Sequence, residues 1–237
     1  MSRYRLRISL WPTIGALVGI ALTIALGNWQ LGRGQQKTAM GERIASASHD
    51  APIGLSGAEV NPDDVVWHRV EVRGRFEPQY TVLIDNRILR GTVGYNVVTP
   101  LKIENSDRYV IVNRGWIAAT ASRQTLPSVI TPTETVHITG LAIVPARRYF
   151  ELSNRTIEGN VWQNLTLERF GAQFPLKLQP VVIQQESALD DHLAREWSPP
   201  DLGVDKHYAY AFQWFAMAVA ITVISVSYTH LRAHETL

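Results

Sequence analysis

HYAYAFQWFAMAVAITVISV, residues 207–226, decides the fold: a histidine followed by 19 residues without a charge. A second run, ISLWPTIGALVGIALTIAL at residues 8–26, is also 19 residues long and uncharged. At roughly 1.5 Å per helical residue each covers about 28 Å, close to the roughly 30 Å of a bilayer's hydrocarbon layer. Both read as transmembrane helices. The chain then divides into an N-terminus (1–7), a first span (8–27), a helical extension and linker (28–64), a β-rich domain (65–206), a second span (207–226) and a tail (227–237).

Composition sharpens this division. Mean hydropathy over the chain is −0.05 despite the two spans, so the intervening residues must be as polar as an ordinary soluble domain. The formal net charge is only +2, with no Lys/Arg cluster, which argues against a nucleic-acid partner. There is no cysteine, which excludes disulfides, thiolate zinc sites, CxxC redox pairs and covalent heme attachment through thioethers. Any metal must be held by nitrogen or oxygen.

Arg3, Arg5 and Arg7 precede the first run, and no acidic residue occurs before Glu42. The positive-inside bias therefore predicts a cytoplasmic N-terminus, an external middle domain and a cytoplasmic C-terminus. A cleaved signal peptide is the rival reading. The run is longer than an ordinary h-region, and the nearest small-x-small site, Ala45 to Ala47, lies well beyond it. Residues 227–237 end the apolar run abruptly, resemble adapter-derived read-through, and carry no weight here.

Between the runs, residues 32–48 are polar enough to continue the first helix into water, and the Gly/Pro/Ser-rich stretch 50–62 ends it. Alternating or β-branched segments at 69–73, 81–84, 95–103, 109–117, 135–144 and 180–185 read as strands. Turn signals fall at Asp85-Asn86, at 91–94 and at Asn105-Ser106-Asp107. Thr166 is placed to cap a short helix over 167–173. Strands at this spacing favour an antiparallel barrel or sandwich, making the whole an α+β membrane protein.

Two clusters carry chemistry. If the first helix continues, Trp29, Arg33 and Lys37 share roughly one face at i, i+4 and i+8, with Gln30 beside them. The plain alternative is an interfacial anchor, because Trp and basic residues gather at that depth in any membrane protein. His207 opens the second span, where an imidazole could ligate iron. Ala211, Trp214 and Ala218 follow at i+4, i+7 and i+11, a face open enough to receive a flat macrocycle or, equally, a neighbouring helix. His137 reads as a solvent-facing strand residue. Asp63-Asp64 and Asp190-Asp191 lie in polar loops and need no catalytic role. No GxSxG, HExxH or phosphate loop is present.

Several motifs occur in order. They are Leu26-Gly27-x-Trp29-Gln30-x-x-Arg33-x-x-x-Lys37, Val72-x-Gly74-x-Phe76, Gly91-x-x-Gly94-Tyr95-x-Val97-x-Thr99-Pro100-Leu101, Val112-Asn113-Arg114-Gly115-Trp116-Ile117 and His207-x-x-Tyr210-Ala211-x-Gln213-Trp214-Phe215. Framed by two spans, they resemble the Surfeit locus protein 1 family of cytochrome c oxidase assembly factors over nearly the whole chain.

The resemblance implies a two-span protein of the bacterial inner (plasma) membrane, or of the mitochondrial inner membrane in a eukaryote. It implies binding or delivery of heme a for maturation of oxidase subunit I, with heme a synthase as a further partner. His207 is then the expected iron ligand. Trp29, Gln30, Arg33, Lys37, Arg114, Tyr210, Gln213 and Trp214 are the other cofactor-binding positions carried over, with Asn113, Gly115 and Trp116 beside Arg114.

On this reading the protein is a chaperone and not an enzyme. Trp214 and the alanine face support the ring, while Arg33 or Lys37 meets the propionates and Arg114 either assists or fixes a loop. The alternative is a heme-independent scaffold holding an oxidase intermediate, favoured if Tyr95, Arg114 and Trp116 form an exposed patch. A hydrolase is disfavoured because no nucleophile and base can be paired, and a two-span sensor because the cytoplasmic tails are too short for an output domain.

Overall fold

The computed structural model describes residues 10–47, 50–121, 125–145, 157–197 and 202–234. The Arg3, Arg5 and Arg7 cluster, the first residues of the first run, His49 and the last three residues of the tail lie outside them. The chain forms two compact units, a helical one from Met1–Arg43 with Pro199–Leu237, and a β unit from Ile44–Ser198.

In the helical unit, α1 (Leu10–Ala47) is 38 residues long, about 57 Å at the α-helical rise. It therefore includes the polar stretch expected to prolong the first run. The chain's last helix, Val204–His234, starts just before His207 and continues without a break into the suspected tail. Both are long and apolar enough to cross a membrane, and only 11% of each helix's most apolar stretch is buried. Helices apolar and exposed over most of their surface fit a lipid solvent, and the protein is a membrane protein on that ground.

The β unit begins with β1 (Ile53–Gly54) and a one-turn α2 (Pro62–Val65), capped by Asn61. Then come β2 (Arg69–Phe76), β3 (Val82–Leu89), β4 (Thr92–Ile103), β5 (Arg108–Ala118) and β6 (Val136–Ile143). Two-residue strands β7 (Ile157–Glu158) and β8 (Val161–Trp162) precede α3 (Leu167–Gln173) and β9 (Lys177–Gln185). Val204–His234 is α4. Thr166 caps α3 as the sequence predicts, its hydroxyl accepting from the Arg169 amide at 3.1 Å.

The pairings close a ring of β2, β6, β9, β5 and β4. Closure depends on the length of β4. One edge pairs with β5 along 94–102, while the other serves β3 up to Val98 and then β2 at 101–103. Inward residues follow the strand alternation, with Val70, Val72 and Phe76 meeting Leu101, Ile103, Val110, Val112, Ile138, Val181 and Ile183 inside the barrel. A second cluster, with Trp162, Phe170, Val98, Ile111 and Val182, seats α3 and β8 on its outside.

Two expectations are corrected. Asp85-Asn86 is not a turn between strands but a bulge within β3, where the register shifts between Ile84 and Arg87 and Asn86 has φ 57°. The reversal comes at Arg90-Gly91, with φ 48° and 80°, the two positive values that a type I′ hairpin requires. Asn accepts the left-handed region in turns and bulges alike, so its presence does not separate them. The barrel is also not wholly antiparallel, because β5 and β9 pair in parallel. Between them the chain runs through β6 and then β7, β8 and α3, a connection long enough for a parallel return.

Gln179 is fully buried in β9 and clamps the entry loop. Its Oε1 accepts from the Val60 amide at 3.1 Å, and its Nε2 donates to the Ser56 and Ala58 carbonyls at 3.2 and 2.7 Å. Gln179→Leu leaves those groups without a partner and should destabilise the β unit by about 1–3 kcal/mol, read as a lower melting temperature of the full chain. An unchanged melting temperature would show that water replaces the clamp.

Candidate functional site

The helical unit is an antiparallel pair built on a glycine seam. Along α1, Thr23, Gly27, Gln30, Gly34, Lys37 and Gly41 recur at alternating steps of four and three, the 3.5-residue period that keeps one face against a partner helix. Gly27 and Gly34 are buried there. A Cβ at Gly27 would stand 2.6 Å from the Phe215 ring, and one at Gly34 would stand 3.1 Å from the Tyr208 ring. Gly19 and Gly41 face Ile221 and Leu202, so α4 descends as α1 climbs. Aromatic rings from α4 thus rest on α1 backbone, which only residues without a side chain permit.

This packing corrects the alanine face. Ala211 and Ala218 are 3% and 6% exposed, because they lie on the side of α4 that carries Tyr208 and Phe215 onto the glycines. That stripe receives a helix, and no room is left on it for a macrocycle. The small side chains of α4 alone suit either guest, and the choice between them lies in the glycines of α1.

His207 sits at one flank of the seam. Its Nδ1 is 2.7 Å from Gln30 Oε1, and no hydrogen bond to its Nε2 is found among the described residues. Helical spacing puts Trp214 and Tyr210 beside His207 on this flank of α4, and Arg33 and Trp29 beside Gln30 on the matching flank of α1. Trp29 and Tyr210 are 55% and 52% exposed, His207 and Trp214 are half-buried, and Arg33 is exposed, with its Nη1 3.3 Å from Gln36 Oε1. The outcome is a lateral surface with an imidazole, aromatic rings and a guanidinium. Lys37 lies two turns from Gln30 on the same helix, its Nζ 3.8 Å from where a Cβ on Gly203 would stand. Gln213 is exposed on the side of α4 turned from the seam, and does not join the group.

Arg114 belongs to the β unit and is wholly buried. Its Nη2 donates to Asp191 Oδ2 at 2.9 Å and to the Ile130 carbonyl at 2.7 Å, and its Nη1 donates to Thr131 Oγ1 at 2.7 Å. The guanidinium lies 4.8 Å from the Phe76 ring centroid. Burial pulls the Arg114 guanidinium below the ordinary arginine value, and the hydrogen bond it donates to Asp191 opposes that shift. Arg195 reaches the same carboxylate at 2.6 and 2.7 Å. Of the two readings open for Arg114, its geometry supports loop fixation, since no part of the side chain reaches solvent to meet a ligand.

Its neighbours act likewise. Trp116 Nε1 donates to the Arg87 carbonyl at 2.8 Å, and Trp116 bridges Ala194, so the Asn-Arg-Gly-Trp segment ties the loop after β9 to β5. Tyr95 is buried, at 5% exposure, and Trp116 is half-buried. These residues build the core and do not form the exposed patch that would favour a scaffold.

Asp191 is the residue the sequence undervalued. It is 2% exposed and answers two guanidinia, yet its partner Arg114 is distant in sequence and no local pattern announces it. His137, by contrast, is exposed as expected, its Nε2 3.2 Å from Glu71 Oε2.

The order and spacing of both helices and the barrel can be set against known proteins. The model of the SURF1 family matches residues 17–219, taking in the glycine seam, the barrel and His207. The chain belongs to the SURF1 family. It is 26% identical to a SURF1-like protein of Rickettsia bellii over 88% of this chain and 86% of the other. It is 28% identical to a SURF1-like protein of Dictyostelium discoideum over 49% of this chain and 46% of that one. Surfeit locus protein 1 of Gallus gallus is 24% identical over 67% and 56% of the two chains. For this SURF1-family chain, the match covers the His207–Gln30 pair and the buried Arg114 alike.

Proposed function

We propose that this SURF1-family chain is a cytochrome c oxidase assembly factor that holds heme a, as cargo for oxidase subunit I, on the His207 flank of its helix pair. The observation that carries the proposal is the Nε2 of His207. The ring is tethered through Nδ1 to Gln30 while Nε2 stays open beside an aromatic, cationic surface. An imidazole nitrogen with its other nitrogen hydrogen-bonded is the usual arrangement of a histidine ligand. With no cysteine in the chain, imidazole is the strong axial donor at hand.

Trp214 and Trp29 offer faces to a flat ring, and Arg33 can pair bidentately with a propionate at the polar end of the helix pair, with Lys37 as a further cation. Gln213 and Arg114 have no part in this surface. The protein acts by binding and handing over, not by catalysis. Heme a synthase is the partner whose chemistry supplies the cargo, and subunit I is the one that consumes it.

An absorbance spectrum tests the proposal. Full-length protein purified from cells that make heme a should show the pigment with a low-spin or histidine-ligated signature. A colourless protein from such cells would leave the heme-independent scaffold as the better account.

The setting is a bacterial inner membrane with the β unit outside the cytoplasm, from the positive-inside bias of Arg3, Arg5 and Arg7. Because the chain has no cysteine, a single Asn105→Cys in the β4–β5 turn gives a clean topology probe. A membrane-impermeant maleimide should label it in cells with a permeabilised outer membrane. Labelling only after the inner membrane is broken would reverse the orientation.

A further inference from the structure

We infer that Gln30 is the positioning residue of His207: its amide oxygen takes the Nδ1 proton and so fixes the tautomer in which Nε2 presents a lone pair. The consequence for iron rests on the heme reading above, but the geometry rests on the helix pair alone. A neutral imidazole carries one N–H, and the nitrogen without it is the one able to ligate. An amide oxygen 2.7 Å from Nδ1 is tolerable only if the proton lies between them, because two facing lone pairs repel. Were the amide turned over, its NH₂ would donate to Nδ1, the proton would move to Nε2, and the outward nitrogen would be closed to a metal. The lie of one amide therefore decides whether the outward face of His207 is a donor or a ligand.

The seam explains why that amide can be held. Gln30 stands between Gly27 and Gly34, the two α1 positions on which Phe215 and Tyr208 rest. Sliding α4 by one turn would drive those rings against side chains, so the register that puts His207 opposite Gln30 is fixed by packing on both sides. The His207–Gln30 pair at the flank of the seam adds a polar contact specific to that register, as a polar pair does in coiled coils. An unconstrained histidine side chain in water prefers its proton on Nε2, so the ligating tautomer has to be selected. Glutamine selects it without adding charge beside a membrane span, where an ionised carboxylate would be costly.

The test reads the tautomer directly, in the apo-protein in lipid nanodiscs with ¹⁵N-labelled histidine at mildly alkaline pH. The His207 signals are assigned by their loss in His207→Ala. In the unsubstituted chain Nδ1 should appear protonated and Nε2 unprotonated. Gln30→Met, which keeps bulk but removes the acceptor, should shift His207 toward the Nε2-protonated form. Gln30→Glu, which restores an acceptor, should return it. Tyr208→Phe, a packing control, should leave it unchanged. An Nε2-protonated ring in the unsubstituted chain, or a ring indifferent to Gln30→Met, overturns the inference.

A second arm uses heme-loaded protein. Removing the acceptor weakens imidazole donation, so Gln30→Met should raise the midpoint potential and Gln30→Glu should lower it. If no variant binds heme while the apo tautomer follows residue 30 as expected, the heme reading fails and the positioning role of Gln30 stands.

Discussion

Asp191→Ala should lower the stability of the β unit by about 3–5 kcal/mol, the cost of leaving a buried ion pair with one partner. Among the described residues the carboxylate is the one acid paired with Arg114, which is wholly buried, and it also takes two hydrogen bonds from Arg195. Removing it leaves two guanidinia without their counter-charge, one of them with no access to water. For a unit of this size each kcal/mol moves the melting temperature by about 2–4 °C, so a fall of roughly 6–20 °C is expected. Out of a total stability of about 5–15 kcal/mol that is enough to reduce the folded yield.

Arg195→Ala should cost much less. The Arg195 side chain is 11% exposed, and its loss leaves Arg114 and Asp191 as a neutral pair. The contrast separates a charge-balanced core from a generic loop contact. If Asp191→Ala melts within about 1 kcal/mol of the unsubstituted chain, Arg114 must reach another acceptor and the pair does not hold the loop.

That ion pair marks where sequence reading stops. Alternation exposes a strand's two faces but not its neighbour, so residues 69–73 could be read as a strand while the pairing of β2 with both β6 and β4 could not. The parallel β5–β9 seam was hidden for the same reason. Strands of two residues, such as β7 and β8, are too short to show any period. Local chemistry was legible where it is self-contained, as in the Thr166 cap, or in the Asn105 turn with φ 56°. In the helical unit the charge-free runs declared both helices, and the spacing of Trp29, Arg33 and Lys37 was visible. What the spacing hid was the seam. Gly27, Gly34 and Gly41 recur at seven residues, and that repeat, weighed with Ala211 and Ala218, would have shown which face meets the other helix.

His207→Ala should abolish the heme spectrum or displace it to that of a weakly held, differently ligated pigment, while leaving the protein inserted and folded. Retention of the fold follows from where the ring lies. His207 is half-buried at the flank, and the helix pair is held by Phe215 on Gly27 and Tyr208 on Gly34, contacts that the substitution does not touch. Loss of ligation follows from the donor set. The chain has no cysteine, and Met217 lies almost three turns of α4 deeper than His207, so among the described residues no thiolate, thioether or second imidazole stands at that depth of the flank.

Arg33→Ala removes one charge-assisted contact from an exposed side chain, worth at most about 1.5–3 kcal/mol. It should weaken retention, up to about 100-fold in Kd, without moving the absorbance bands. Tyr208→Phe keeps the ring that fills the glycine seam and loses only a 3.5 Å contact with Thr38, so it should bind as the unsubstituted chain does. The three variants sort ligand, counter-charge and packing by different readouts: band position, affinity and neither. An unchanged spectrum at full occupancy in His207→Ala would remove the histidine from the iron, and with it the reason to place the cargo on this flank.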